Sequence, residues 1–209
     1  MSTKNTTLLI ARHGNTFTSE QTPTRVGCRT DLPLVESGRE QARKLGTYLK
    51  THSLSPNHIY TSTLKRTIEM GCITEEVIGH SIPQDCLDIF NEIDYGPDEN
   101  MPESAVLQRL GEESIHDWNE KAIVPDGWIV NTQDMIKNWI DFGHKCTKQF
   151  QGQTVLAITS NGVARFAPHL AGDFDSFQHD LKISTGALCI LEHVHSDNRW
   201  YIKDWNIRP

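Results

Sequence analysis

At 209 residues, 37% hydrophobic and 22% charged, the chain is long enough to bury a core and reads as an ordinary globular protein of one domain spanning residues 1–209. A net charge of −7 argues against a nucleic-acid footprint, so any phosphate site must rest on a local cluster of Arg rather than on the overall field. Five scattered Cys, odd in number and without a CxxC pair, fit reduced thiols in a cytoplasmic protein, and the polar stretch before Leu8 predicts neither a signal peptide nor a membrane span.

Taken in order, the first informative stretch is Leu8-Leu9-Ile10-Ala11, an apolar run that stops at Arg12-His13-Gly14. It reads as a buried strand emptying into a turn. In an open α/β sheet, ligands sit in the crevice at the strands' carboxyl ends. Arg12 offers a planar fork of donors suited to phosphate oxygens, and a neutral His13 is a nucleophile. The plain alternative is that Arg12 pairs with a carboxylate and His13 merely ends a strand.

Ser37 is a plausible N-cap for a helix with Ala42, Leu45 and Leu49 on one face. Residues 58–60 read as a short strand. Ser62 then caps a second helix, with Leu64, Ile68 and Cys72 inward and Arg66 in its first turns, where free N–H groups face anions. Residues 82–90 read as a strand and its approach, with Glu92 just past its end. Residues 97–127 are acidic and irregular, then helical around 103–120, and predict a lid insertion at about 97–130 covering the site. Met135, Trp139, Phe142, Cys146 and Phe150 recur at helical spacing. Residues 154–159 form a buried strand running into Ser160-Asn161-Gly162, with a helix from about Val163. Two late strands, 187–194 and 199–205, join through the turn 196–198. Their Trp200 and Trp205 either form an edge that pairs a second copy into a homodimer or pack inward. Strands alternating with helices predict an α/β class: a three-layer α/β/α sandwich around a mostly parallel sheet.

Four segments together carry a resemblance. Arg12-His13-Gly14-Asn15-Thr16, GCRTDLPLVESG over 27–38, Thr61-Ser62-Thr63-Leu64-Lys65-Arg66-Thr67 and Asn91-Glu92-Ile93-Asp94-Tyr95-Gly96 resemble, in order, the blocks of the histidine phosphatase (phosphoglycerate mutase-like) superfamily. The likeness runs from residue 8 to about Arg165. It implies hydrolysis of a small phosphorylated substrate through a transient phosphohistidine on His13, with no cofactor and no metal. Arg12 and Arg66 would clamp the phosphoryl oxygens, and fixed cationic donors suit that spread charge. Asn15, Thr16 and Ser19 would add neutral donors. Arg25 and Arg29 either extend the basic rim or are solvated loop charges. The leaving oxygen needs a proton. The family's pattern assigns that acid to Glu92, with Asp94 as the rival.

One departure stands out. Where the family has a second His followed by Gly, this chain has Ser160-Asn161, while Gly162 and Arg165 line up. Ser160 and Asn161 offer neutral hydrogen bonds but no positive charge. The expected consequence is an attenuated or specialised phosphatase, or else a member that binds phosphorylated ligands without useful turnover. A mutase is less favoured, because the likeness to glycolytic mutases is poor after Gly96. His193, His195 and Asp197 resemble a metal set only weakly, lacking a third ligand at a convincing spacing. His169 and His179 are expected to be ordinary surface or packing residues.

Overall fold

The computed structural model describes residues 5–172 and 180–209. Six strands form one sheet: β1 (Thr6–Arg12), β2 (His58–Thr61), β3 (Gln84–Cys86), β4 (Thr154–Thr159), β5 (Leu188–Val194) and β6 (Arg199–Ile207). Their spatial order is β3-β2-β4-β1-β5-β6. The β3–β2, β2–β4 and β4–β1 pairs are parallel, whereas β1–β5 and β5–β6 are antiparallel. Helices α1 (Glu36–Thr51), α2 (Lys65–Ile78), α3 (Glu103–Lys121), α4 (Thr132–Gln149) and α5 (Asn161–Ala164) complete the α/β fold.

The central strands are apolar on both faces because both faces are covered. Leu8 and Ile10 of β1, with Val155 and Ala157 of β4, pack in a core with Trp139, Phe142 and Cys146 of α4. Leu9, Ala11, Leu156 and Ile158 point the other way, onto Ala42, Leu45 and Leu49 of α1 and Met70 and Ile78 of α2. This is the period-two alternation of a strand, with an apolar layer on each side.

Several local expectations need correcting. Helix α1 begins at Glu36, one residue before Ser37, and its N-cap is Val35, whose backbone N–H donates to the Asn15 carbonyl at 3.0 Å. The Ser37 hydroxyl instead accepts from Asn15 Nδ2 at 3.2 Å. Helix α2 begins at Lys65, and Ser62 lies before its cap, bonding the Leu64 N–H at 3.2 Å and Thr67 Oγ1 at 2.6 Å. The inward face of α2 is Arg66, Thr67, Met70, Gly71, Thr74 and Ile78, and Cys72 is exposed. Burying a charged residue rotated the phase that apolar spacing alone suggests. The predicted strand over 82–90 shrinks to an edge strand of three residues followed by a 3₁₀ turn, Asp88–Phe90. The helix expected from Val163 is the single turn α5, succeeded by a 3₁₀ turn at Ala167–Ala171. Pro168 there has no N–H to continue an α-helical ladder. Helix α3 breaks at Gly111, whose φ of 80° is left-handed backbone that glycine adopts without strain.

Where β1 ends, Gly14 packs backbone to backbone on Gly38 at the start of α1, and a Cβ on Gly14 would lie 2.5 Å from the Gly38 carbonyl oxygen. That close approach anchors the loop leaving the strand.

Trp139 ties the α4 layer to the site end of the sheet. It is 1% exposed, its Nε1–H donates to the Val163 carbonyl at 2.9 Å, and its ring lies 5.3 Å from that of Phe90. Trp139→Ala is expected to destabilise the protein by about 3–5 kcal/mol, read as a lower urea midpoint with an unchanged m-value.

Candidate active site

The carboxyl ends of the parallel strands converge. Arg12 pairs with Thr159 in register, and the His13 N–H donates to the Thr159 carbonyl at 3.0 Å. Because β5 runs antiparallel, the loop before it arrives at this same end. There the Gly186 N–H reaches the Arg12 carbonyl at 3.1 Å, and the Arg12 N–H reaches Ala187 at 3.0 Å. The result is a cavity of about 750 Å³.

His13 is buried in its wall. Its Nδ1 lies 2.8 Å from the Gly14 carbonyl oxygen. A carbonyl only accepts, so Nδ1 carries the proton and the lone pair is on Nε2. Burial holds the imidazole pKa well below its ordinary value, and the charges of Arg66 and Arg12 push the same way. The ring is therefore neutral at physiological pH, the form in which its nitrogen is a nucleophile.

Arg12 lines the cavity, its Nη1 donating to the Ile183 carbonyl at 2.6 Å while its Nε has no partner among the described residues. Arg66 is fully buried, donating to the Thr30 and Gly27 carbonyls at 2.9 and 3.2 Å, and its Nε has no partner among the described residues. Burial lowers the pKa of both guanidiniums, and the nearby Glu92 charge opposes that shift. Glu92 lines the cavity, and its two oxygens accept from the Ile93 N–H at 2.9 Å and the Gly162 N–H at 3.3 Å. Asp94 instead faces Arg29, 3.0 Å away, and accepts from the Gly96 N–H.

Asn15, Thr16, Ser19 and Asn161 also line the cavity. Asn15 is held by Thr185 Oγ1 at 2.6 Å, and Asn161 Oδ1 accepts from the Ile183 N–H at 2.8 Å. Among the described residues, Arg66, Arg29, Asp94 and Ser160 are not part of the cavity wall. Ser160 is fully buried, and its hydroxyl finds no partner among the described residues. Of the remaining candidates, His195 bonds Thr6 at 2.9 Å, Asp197 accepts from Tyr201, and His169 stacks on Phe166. His179 lies outside the described residues.

The wall also contains residues that the sequence did not single out. Trp118 comes from α3, while Lys182 and Thr185 come from the loop before β5. The direction of β5 was the missing signal, since only an antiparallel strand delivers its leading loop here. Beside this wall, Asp98 pairs with Arg109, in the part of α3 before its break at Gly111, and accepts from Trp128 Nε1 at 2.7 Å. Burial alone would raise the Asp98 pKa, but the hydrogen bonds from Arg109 and Trp128 outweigh it and leave the group lowered.

The sequence matches the profile described as "Histidine phosphatase superfamily (branch 1)" over residues 8–208. It is similar to a Bacillus subtilis protein called "uncharacterized phosphatase PhoE", 27% identical over 204 residues, covering 97% of this chain and 95% of that one. It is similar too to a 2,3-bisphosphoglycerate-dependent phosphoglycerate mutase of Erythrobacter litoralis, 26% identical over 227 residues, covering 95% and 99%. The fold is like that of the mycobacterial glucosyl-3-phosphoglycerate phosphatase, with a TM-score of 0.76 at 16% identity over 97% of this chain and 99% of that one.

The depressed His13 pKa fixes a sign. The unfolded imidazole titrates at about 6.5. Below that pH the unfolded chain takes up a proton that the folded chain refuses, so this group removes stability as pH falls from the unfolded value toward the folded one. In an NMR titration the His13 ring is expected to protonate only well below the ordinary value. Arg66→Gln should move its midpoint up, yet not all the way, since burial is the larger cause. A wild-type midpoint at or above the ordinary value contradicts the described environment.

Proposed function

The chain belongs to the histidine phosphatase superfamily, and on that premise we propose that it is a metal-independent phosphomonoester hydrolase working through a phosphohistidine. The observation that carries this reading is the His13–Gly14 hydrogen bond, which leaves Nε2 as the basic nitrogen of a ring set in the cavity wall beside Arg12.

In the first step Nε2 attacks phosphorus. A P–N bond forms, the P–O bond to the leaving group breaks, and the Glu92 carboxyl gives its proton to the departing oxygen. In the second, Glu92 takes a proton from water, the hydroxyl attacks phosphorus, and the P–N bond breaks to return neutral His13 and inorganic phosphate. Arg12 holds the equatorial oxygens, and Arg66 adds positive potential from outside the wall. Asn15, Thr16, Ser19 and Asn161 supply neutral donors.

Ser160 and Asn161 stand where relatives would hold a second imidazole, and neither carries charge. Losing one such donor typically costs about 3 kcal/mol, on the order of a hundredfold in rate. We therefore read the enzyme as attenuated or specialised. That Ser160 is buried outside the cavity wall and brings no charge to it also favours a second reading, in which the protein binds phosphorylated ligands without turnover.

Aryl phosphate hydrolysis in the presence of EDTA tests these readings. Activity is expected to survive EDTA, to vanish in His13→Ala together with an acid-labile phosphoenzyme, and to fall by about 10²–10⁴ in Glu92→Gln. Phosphate binding without hydrolysis selects the second reading, and loss with EDTA overturns metal independence. Ser160→His is expected to raise turnover. A variant that binds phosphate no better and reacts no faster shows that Ser160 does not occupy the second imidazole's place.

A further inference from the structure

Arg66 lies in the first turn of α2, yet both of its hydrogen-bonded nitrogens reach across to the loop between β1 and α1. Nη1 donates to the Thr30 carbonyl and Nη2 to the Gly27 carbonyl. Those two acceptors bound a single turn, in which the Thr30 N–H faces the Gly27 carbonyl at 3.4 Å. A guanidinium is a planar, rigid fork, so two fixed carbonyls set where its charge stands.

The turn is held in its own right by Glu99. Oε1 accepts from the Gly27 N–H at 3.1 Å, the Arg29 N–H at 3.1 Å and the Thr30 hydroxyl at 2.7 Å. Oε2 accepts from the Tyr95 N–H at 3.4 Å. Both residues that hold Arg66 are therefore held by Glu99 through their other polar group. The Cys28 N–H, donating to the Ile93 carbonyl at 3.1 Å, laces the same turn to the segment that carries Glu92. There is no slack at this junction. A Cβ on Gly27 would lie 2.0 Å from Glu99 Oε2 and 2.7 Å from the Ile93 carbonyl oxygen.

A carboxylate that gathers several backbone N–H groups is a strong organiser, because each of those bonds is charge-assisted. Among the described residues Glu99 is not part of the cavity wall. Whatever it does for the site, it does through the turn.

We propose that Glu99 is a positioning residue: by holding the Gly27–Thr30 turn, it fixes the two carbonyls that place the Arg66 charge acting on His13. Its value for turnover rests on reading His13 as the nucleophile, whereas the placement itself does not.

The His13 ring reports on Arg66, because the charges of Arg66 and Arg12 both oppose its protonation. Two variants separate hydrogen bonding from charge. Glu99→Ala and Glu99→Gln lose the same negative charge, but the Gln amide oxygen still accepts from Gly27, Arg29 and Thr30. Charge loss alone makes the ring harder to protonate and lowers its NMR midpoint, and a released Arg66 does the opposite. Glu99→Ala is expected to raise the midpoint by about half a pH unit or more, toward that of Arg66→Gln, while Glu99→Gln stays near or below the wild type. The double variant Glu99→Ala, Arg66→Gln should rise no higher than Arg66→Gln alone. A midpoint that Glu99→Ala leaves in place or lowers, an equal response of both variants, or a further rise in the double variant overturns the proposal. If Glu99→Ala does not fold, Glu99→Asp decides. It keeps the charge but is one methylene short, so a raised midpoint supports the placement and an unchanged one overturns it. If the fold is lost before the ring titrates, exchange of the Arg66 guanidinium N–H groups at neutral pH decides. It is expected to be slow in the wild type and Glu99→Gln and fast in Glu99→Ala, and equal exchange in all three overturns the proposal. A wild type that hydrolyses no aryl phosphate sinks the phosphatase reading alone, since neither measurement uses turnover.

Discussion

The bond from His13 Nδ1 to the Gly14 carbonyl assigns the proton of the ring, and the chemistry of the site depends on that assignment. The acceptor is the backbone of the next residue, so the tautomer is set by the turn itself rather than by a neighbouring side chain that could titrate. The turn in turn depends on glycine. Gly14 presses on Gly38 with no room for a side chain, which fixes the path of the backbone whose carbonyl accepts the proton. Burial and two guanidiniums then keep the ring uncharged. Sterics, hydrogen bonding and electrostatics act together on a single nitrogen.

The electrostatics of the molecule are uneven. A chain with net charge −7 gathers four arginines, Arg12, Arg25, Arg66 and Arg165, at one end of its sheet. Three of them place their hydrogen bonds largely on backbone carbonyls. Carbonyl dipoles soften the desolvation of a guanidinium without neutralising it. Positive potential is thereby preserved inside the cavity for an incoming anion, at the expense of stability in its absence.

The sequence made the β1 exit legible because four apolar residues end abruptly on Arg-His-Gly, and a change of pattern that sharp has few readings. Glu92 and the layer order were legible for similar reasons, through the Asn-Glu block and the alternation of strands with helices. The phase of α2 was not. Arg66 is buried there, and a rule that turns apolar residues inward sends Cys72 the wrong way. Nor was the place of Trp118 in the cavity wall, since Arg165 meets Trp118 across 47 residues and no local period encodes that contact. Lys182 and Thr185 were hidden by the direction of β5. The burial of Ser160, with a hydroxyl that meets no partner among the described residues, was not legible either.

That sheet order also governs when the molecule can be completed. β1 opens the described chain yet lies between β4 and β5, whose residues follow it by more than half the sequence. A nascent chain would carry Leu8–Arg12 as an unmated ribbon until residues 154–159 and then 188–194 emerged to flank it. Closing loops of that span is slow, because their entropy is lost before any pairing compensates. A fragment ending before β5 would therefore hold the imidazole and its Arg neighbour while lacking the strand that seals one side of them, leaving an exposed apolar edge with the reactive turn at its tip.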